Sequence, residues 1–375
     1  MRVLVAFDKF KDALTARAAC EAAAATLRAR HPDWTLDLCP LTDGGEGFCE
    51  TLTAAANGRL EHVEVSGPRG GKVRAPIGYI GWGLIPAAAR MLLPSQNQES
   101  KTPNPLAVIG LAAASGLELV PPGDRDPWHT TTQGTGEQIR AAARAGADAI
   151  LLGVGGSATN DLGLGALAAL GFMFSSVPVP ATWSQLNRLE GRVNLPPVFI
   201  ACDVTNPLLG PRGATATFGP QKGLKPEDLP RLEAEMARMA GLLCAACDRP
   251  PALAATPGAG AAGGIAFGLM VAAGARLVPG FDLVSAWLDL PARIASADLV
   301  ITGEGRFDAT SLGGKGPGAL VAQARRLGKP AHVFAGSLGV PEDHSHHAIT
   351  PPGLPLAAAL PRTAELLAAA VDRTL

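Results

Sequence analysis

The chain of 375 residues carries no long block of charge of one sign, and its formal net charge is −1. Nucleic acids and anionic membranes need a basic face, so neither is an expected partner. Cysteine is scarce: six are too few for a disulfide scaffold at this size. Cys244 and Cys247 have metal-like spacing, but no second pair stands at zinc-finger distance, and the Ala-, Leu- and Met-rich surroundings read as helix. Reduced, buried thiols in a cytoplasmic compartment fit this usage. A secretory leader is not expected, because Asp8, Lys9, Lys11 and Asp12 interrupt any apolar run near the start. Ala252–Ala275 holds no charge, yet Pro257, Gly258, Gly260, Gly263 and Gly264 break its first half, so no membrane span is expected. The Walker A motif is also missing. Gly71-Lys72, Gly314-Lys315 and Gly328-Lys329 lack the glycine five positions earlier and the following Ser or Thr. No internal repeat is present.

What remains is an ordinary globular composition, 47% hydrophobic and 17% charged, on a chain long enough for two domains. Short apolar runs read as buried parallel strands, each leading into a glycine-rich polar loop and then a helix. They are Arg2–Phe7, Trp34–Cys39, Asp148–Leu152, Val198–Ala201, Asp298–Ile301 and Ala331–Ala335. His62–Val65 and Val73–Ile80 instead predict an antiparallel pair, and Pro86–Pro105 reads as an irregular exposed insertion. The expected fold is therefore α/β with two domains. Residues 1–60 plus 285–375 form a Rossmann- or flavodoxin-like domain with a parallel sheet, and 61–284 form a second α/β domain inserted into it.

The polar clusters fall mostly just after strands, where open α/β sheets bind ligands. After Ile150–Leu152 come Gly153, Gly155, Gly156, Ser157, Thr159, Asn160 and Asp161. Adjacent glycines let N–H groups converge on an anion at a helix N-terminus; the plainer alternative is a turn capped by Thr159 or Asp161. Glu304, Arg306 and Asp308, followed by Lys315, offer groups for magnesium, a general base and phosphate neutralisation, or else a surface salt-bridge network. Asp43 with Glu46, and Asp8 with Lys9 and Lys11, form two further clusters. Gly258–Gly263 matches the dinucleotide fingerprint, but Arg249–Pro257 before it is not a strand, which argues against an NAD site. His344, His346 and His347 read as a solvated loop rather than a metal site.

Taken together these loops resemble the type-1 glycerate kinase family over almost the whole chain. The matching segments are Asp8–Lys11, Thr42–Gly47, Thr131–Glu137, Gly155–Asp161, Ala201–Pro207, Phe218–Gly223, Gly258–Gly264 and Ile301–Arg306, in the family's order. The resemblance implies phosphorylation of D-glycerate by ATP with Mg2+, 2-phosphoglycerate being favoured over 3-phosphoglycerate, in two domains with the substrates meeting between them. This chain departs from the pattern at Lys9, where many relatives carry Ser, at Leu162, where Gly is usual, and at Phe307, which replaces a common Leu.

On this reading the loop Gly155, Gly156, Ser157, Thr159 and Asn160, with Lys315, holds nucleotide phosphates. Asp203, Glu304 and Asp308 serve magnesium, and Arg306 or Lys11 meets glycerate's carboxylate. Asp161 or Asp43 accepts the hydroxyl proton. A kinase of another sugar acid, a non-catalytic sugar-acid sensor and a homo-oligomeric state all stay open at this point.

Overall fold

The computed structural model describes residues 1–94, 104–312, 316–341 and 344–375. In chain order its principal elements are β1 (Arg2–Phe7), α1 (Ala16–Arg30), β2 (Thr35–Leu38), α2 (Phe48–Ala55), β3 (Arg59–Ser66), β4 (Lys72–Ile80) and β5 (Leu106–Gly110). Next come α3 (Gln133–Arg144), β6 (Ala149–Gly153), α4 (Leu164–Ala169), β7 (Val198–Cys202), α5 (Leu229–Ala246), α6 (Ile265–Ala273), β8 (Arg276–Pro279) and α7 (Gly280–Trp287). The last are β9 (Leu299–Gly303), α8 (Gly316–Arg326), β10 (Ala331–Ala335), β11 (His346–Ala348) and α9 (Thr363–Thr374).

Two compact units result, Met1–Asp43 with Val284–Leu375, and Gly44–Leu283. The first unit carries a five-stranded sheet ordered β11-β10-β9-β1-β2, parallel throughout. Counting only that unit's strands, the order is the flavodoxin-like 2-1-3-4-5, with its switch point between β1 and β9. Strands covered on both faces must be apolar throughout, and β9 is buried from end to end. One face packs on α1 and α9, through Ala19, Cys20, Ala23, Leu27, Leu367 and Val371 against Val3, Val5 and Ile301. Those α1 positions recur every three or four residues and so form one stripe. Thr15 starts that helix by accepting a hydrogen bond from the Ala18 N–H, 3.2 Å. Burying Leu27 alone contributes roughly 1.5–3 kcal/mol.

The second unit holds a six-stranded sheet ordered β8-β7-β6-β5-β4-β3. Its strands β8 to β5 are parallel, while β4 joins β5 and β3 antiparallel, as the hairpin pattern predicts. The unit begins at Gly44, not near residue 60. The loop after Asp43 bonds to Gly155, and α2 packs on β4 and β5, so this stretch contributes its apolar face to the second core. Nothing in its own composition marks that allegiance. β5 escapes the apolar-run reading because it follows the irregular Pro86–Pro105 stretch directly, and β8 and β11 because they have only four and three residues and begin with Arg276 and His346.

The histidine segment is a correction. His346 and His347 lie in β11 rather than in a solvated loop; His346 is buried on Phe307 (ring centroids 5.5 Å apart), and His347 Nε2 meets His332 Nδ1 at 2.9 Å. Pro86–Pro105 lies partly outside the described residues; within it a short helix spans Ala87–Met91. All six cysteines are free. No described helix is long and apolar enough to cross a membrane.

Candidate functional site

The glycine loop leaves the end of β6 in the second unit. The Gly155 N–H donates to the Gly44 carbonyl (2.9 Å), the Ala158 N–H to the Ser115 carbonyl (2.9 Å) and the Thr159 N–H to Ser157 Oγ (3.1 Å). Among the described residues, no internal hydrogen bond uses the N–H groups of Gly156 and Ser157. Gly156 is exposed with φ +71, and a Cβ there would run into the Glu46 carboxylate. Two consecutive N–H groups beside a left-handed residue form a concavity that suits an anion. The loop can therefore present main-chain donors at Gly156 and Ser157.

The rest of the loop faces inward, against the sequence expectation. Thr159 and Asn160 are fully buried; Thr159 Oγ1 meets Ser157 Oγ at 3.1 Å, and Asn160 Nδ2 donates to Thr215 Oγ1 at 3.2 Å. These bonds brace the loop, while Asn160 Oδ1 is buried without a hydrogen-bond partner among the described residues. Gly258–Gly263 supports the same region from behind. Leu162 N–H donates to the Gly263 carbonyl (3.0 Å), and Gly263, with φ +69, lies so close to the Thr159 carbonyl that no Cβ would fit. The resemblance to a dinucleotide fingerprint thus reflects close backbone packing.

Asp161 is the firmest correction. Its carboxylate is completely buried and accepts four hydrogen bonds, from Thr132 N–H (2.8 Å), Thr132 Oγ1 (2.8 Å), Gly163 N–H (3.2 Å) and Gly165 N–H (3.2 Å). Burial pushes this carboxyl above the usual range, and the donors from Thr132, Gly163 and Gly165 hold it back. A general base must reach its proton; Asp161 instead ties the start of α3 to the start of α4. The same knot accounts for the Thr131–Glu137 motif, since Thr132 Oγ1 also accepts from the Ala166 N–H at 2.9 Å. Leu162 follows with φ +57 and no exposed surface. A left-handed backbone costs a non-glycine residue about 1–2 kcal/mol, which the buried leucine side chain offsets.

Lys222, from the Phe218–Gly223 motif, is a residue that sequence reasoning misses. It is buried beneath the loop with Nζ 2.5 Å from the Thr159 carbonyl and 3.4 Å from Ser157 Oγ. Burial pushes its amine down to about 7, and the Asp161 charge opposes that shift. Its signal in the sequence is slight, a lysine in a Gly-Pro-rich turn.

In the first unit, the loops after β1 and β9 flank the switch point. Asp8 is buried, with Oδ1 accepting the Lys9 N–H at 2.7 Å, and Lys9 Nζ pairs with Asp43 Oδ1 at 3.2 Å. Asp43 is exposed, and Lys11 lies exposed nearby in sequence. Glu46, in the second unit, leans on Gly156. Glu304 is partly buried with Oε1 lacking a hydrogen-bond partner. Burial, and then the charges of Asp8, Asp43 and Asp308, push its carboxyl up to about 7, against a hydrogen bond from Ser311. Arg306 is exposed and pairs with Asp308 (Nε to Oδ2, 3.2 Å). Asp203 belongs to the second unit, where its Oδ1 accepts the Phe281 N–H (3.0 Å) in the first turn of α7. The structure thus gives Asp203 a capping task at the start of α7. Lys315 lies outside the described residues.

Among the described residues, no three His, Cys, Asp or Glu side chains form a preassembled metal site. The orphaned Glu304 oxygen amid other carboxylates is nonetheless a donor set suited to a hard cation. Its titration gives a prediction. The native carboxyl binds its proton more tightly than the unfolded one, so its stabilising contribution is complete below about 4.5 and fades as pH rises through about 7. In cation-free buffer, the melting temperature should fall from pH 5 to pH 8. Glu304→Gln should flatten that slope, and Mg2+ at pH 8 should restore part of the loss. Differential scanning fluorimetry checks all three; a slope unchanged by Glu304→Gln would remove Glu304 as its source.

A parallel sheet with its switch point beside acid-bearing loops, and a glycine loop with unused main-chain donors at another strand end, suit an α/β enzyme of the phosphotransferase class. The profile of the Glycerate kinase family matches residues 3–374, and the chain belongs to that family. It is 37% identical over 366 residues to the glycerate kinase of Haemophilus influenzae, covering 94% of this chain and 91% of the relative. It is 38% identical over 364 residues to the glycerate 2-kinase of Escherichia coli K12, covering 93% and 90%. A crystal structure from Salmonella typhimurium LT2, provisionally named glycerate kinase 2, superposes with a TM-score of 0.72 at 35% identity, covering 100% of this chain and 96% of that one.

Proposed function

We propose that the protein transfers the γ-phosphoryl group of ATP to a hydroxyl of D-glycerate, with Mg2+, and that the product is 2-phosphoglycerate. The observation that carries this reading is the pair of N–H groups at Gly156 and Ser157, offered at a strand end in a protein of this family. Phosphoryl transfer asks for positioning and charge neutralisation more than for covalent chemistry. Gly156 and Ser157 supply the backbone cradle for nucleotide phosphates, Gly155 shapes its entry through its own bond to Gly44, and Lys315 is a further cation. Asp43 accepts the hydroxyl proton and Lys9 holds its carboxylate in place. Lys11 and Arg306 meet the substrate carboxylate.

Glu304 and Asp308, with Asp8 beside them, would hold the cation; Mg2+ needs only one or two carboxylates when phosphates and water complete its shell. Bound there, it would neutralise charge on the transferred group. The cytoplasm is the compartment that suits six free thiols. Incubation with ATP, Mg2+ and a panel of hydroxy acids, followed by 31P and 13C NMR, tests the reading. Phosphate on C2 of D-glycerate supports it in full. Phosphate on C3 overturns the regiochemistry, and turnover only with another sugar acid overturns the substrate.

A further inference from the structure

The strongest unabsorbed feature is the lysine sealed beneath the glycine loop. Lys222 sits at the end of a short turn of helix, Pro220–Lys222, and Gly223 follows with φ +94. Its Nζ donates to the Thr159 carbonyl and Ser157 Oγ, the residues on which the exposed cradle rests. Two of its three N–H directions are thereby spent on the loop, and the residue has almost no surface of its own. The turn also abuts the Arg125 carbonyl at Gly223, and the Asp161 carboxylate is the ionised group felt by the amine. A buried amine bonded to two loop oxygens can do more than fill space. It sets the potential behind an anion site.

We propose that Lys222 is a positioning residue that fixes the Ser157–Thr159 backbone and takes up one proton from solvent when a polyphosphate seats on the loop. This rests on the reading of Gly156 and Ser157 as the phosphate cradle. A nearby anion favours the charged form of an amine, and by reciprocity the charged amine favours the anion. The balance is simple: the neutral amine plus a solvent proton becomes ammonium, and no bond in the nucleotide changes. With burial holding the empty-site amine near 7, most molecules lack that proton at pH 8 and most carry it at pH 6.

The experiment is titration calorimetry of the full chain with the magnesium complex of a non-hydrolysable ATP analogue. It is run at pH 6 and pH 8 in buffers of different ionisation enthalpy. At pH 8 the wild type should bind with an uptake approaching one proton relative to Lys222→Arg, whose guanidinium never loses its charge. At pH 6 that difference should shrink to about a tenth, following the fraction of amine still neutral. Lys222→Arg should bind at pH 8 at least as tightly as wild type if its longer fork is accommodated. Lys222→Met should weaken binding at pH 6 by tenfold or more. Because either substitution disturbs a packed site, melting curves run alongside, but a purely structural role would not generate the pH-dependent proton difference. Equal proton uptake in wild type and Lys222→Arg would overturn the proposal. Gly156→Val reports on the cradle separately: loss of binding there with equal proton uptake condemns the lysine role alone, whereas unchanged affinity condemns the cradle and the lysine role with it.

Discussion

Asp43→Asn is expected to lower kcat by two to four orders of magnitude with little change in KM for ATP, the range a positioned general base contributes. Asp43 stands at the end of the first unit's chain segment, exposed, with its Oδ1 on Lys9 Nζ at 3.2 Å. An exposed ion pair of this kind contributes at most about 1 kcal/mol, so the variant should fold and melt like the parent. That separation of turnover from stability is what identifies a chemical role. Lys9→Ser should be milder because the carboxylate remains. A coupled assay of ADP release, with a melting curve on the same preparation, decides the matter. If Asp43→Asn keeps kcat within tenfold, the proton goes elsewhere.

Much of the fold could be read from the residues because its parallel strands are short apolar runs with glycine-rich ends. β1 and β10 were delimited from such runs alone, and the hairpin β3–β4 from its turn. The boundary after Asp43 was not legible, since Gly44–Gly47 joins the second unit through a backbone contact to Gly155 that no composition records. The site was legible as a set of loops, less so as individual side chains. Sequence order cannot say which face of a turn is outward. Among the described residues the N–H groups of Gly156 and Ser157 have no internal acceptor, while Thr159, Asn160 Nδ2 and Asp161, the chemically more suggestive groups, make internal hydrogen bonds. Lys222 is illegible for the converse reason. Lysine usually marks a solvated surface, and only tertiary packing shows this one to be enclosed.

Asp161→Ala should act in the opposite manner to Asp43→Asn, losing stability first and activity as a consequence. Removing the carboxylate strands three buried N–H groups and the Thr132 hydroxyl, each unsatisfied donor costing about 1–3 kcal/mol before relaxation. It also removes the buried charge that favours the Lys222 ammonium, which adds to the loss wherever that amine is charged. A total at or above the lower end of those figures means a melting temperature lower by roughly 10 °C in a unit of this size. The loss should depend on pH with a definite sign. The Asp161–Lys222 attraction exists only while the amine is charged, and burial already holds that amine near 7. The destabilisation should therefore be larger at pH 6 than at pH 9, where Lys222 is neutral in both proteins. Asp161→Asn should fall between, its carbonyl keeping some donors while its amide NH2 faces others. In the Lys222→Met background the pH dependence of the Asp161→Ala effect should disappear, leaving only the hydrogen-bond component. Thermal melts of the four proteins at the two pH values form the complete cycle. An Asp161→Ala penalty of equal size at pH 6 and pH 9 would show that the buried lysine carries no charge there, and that Asp161 serves the loop through its hydrogen bonds alone.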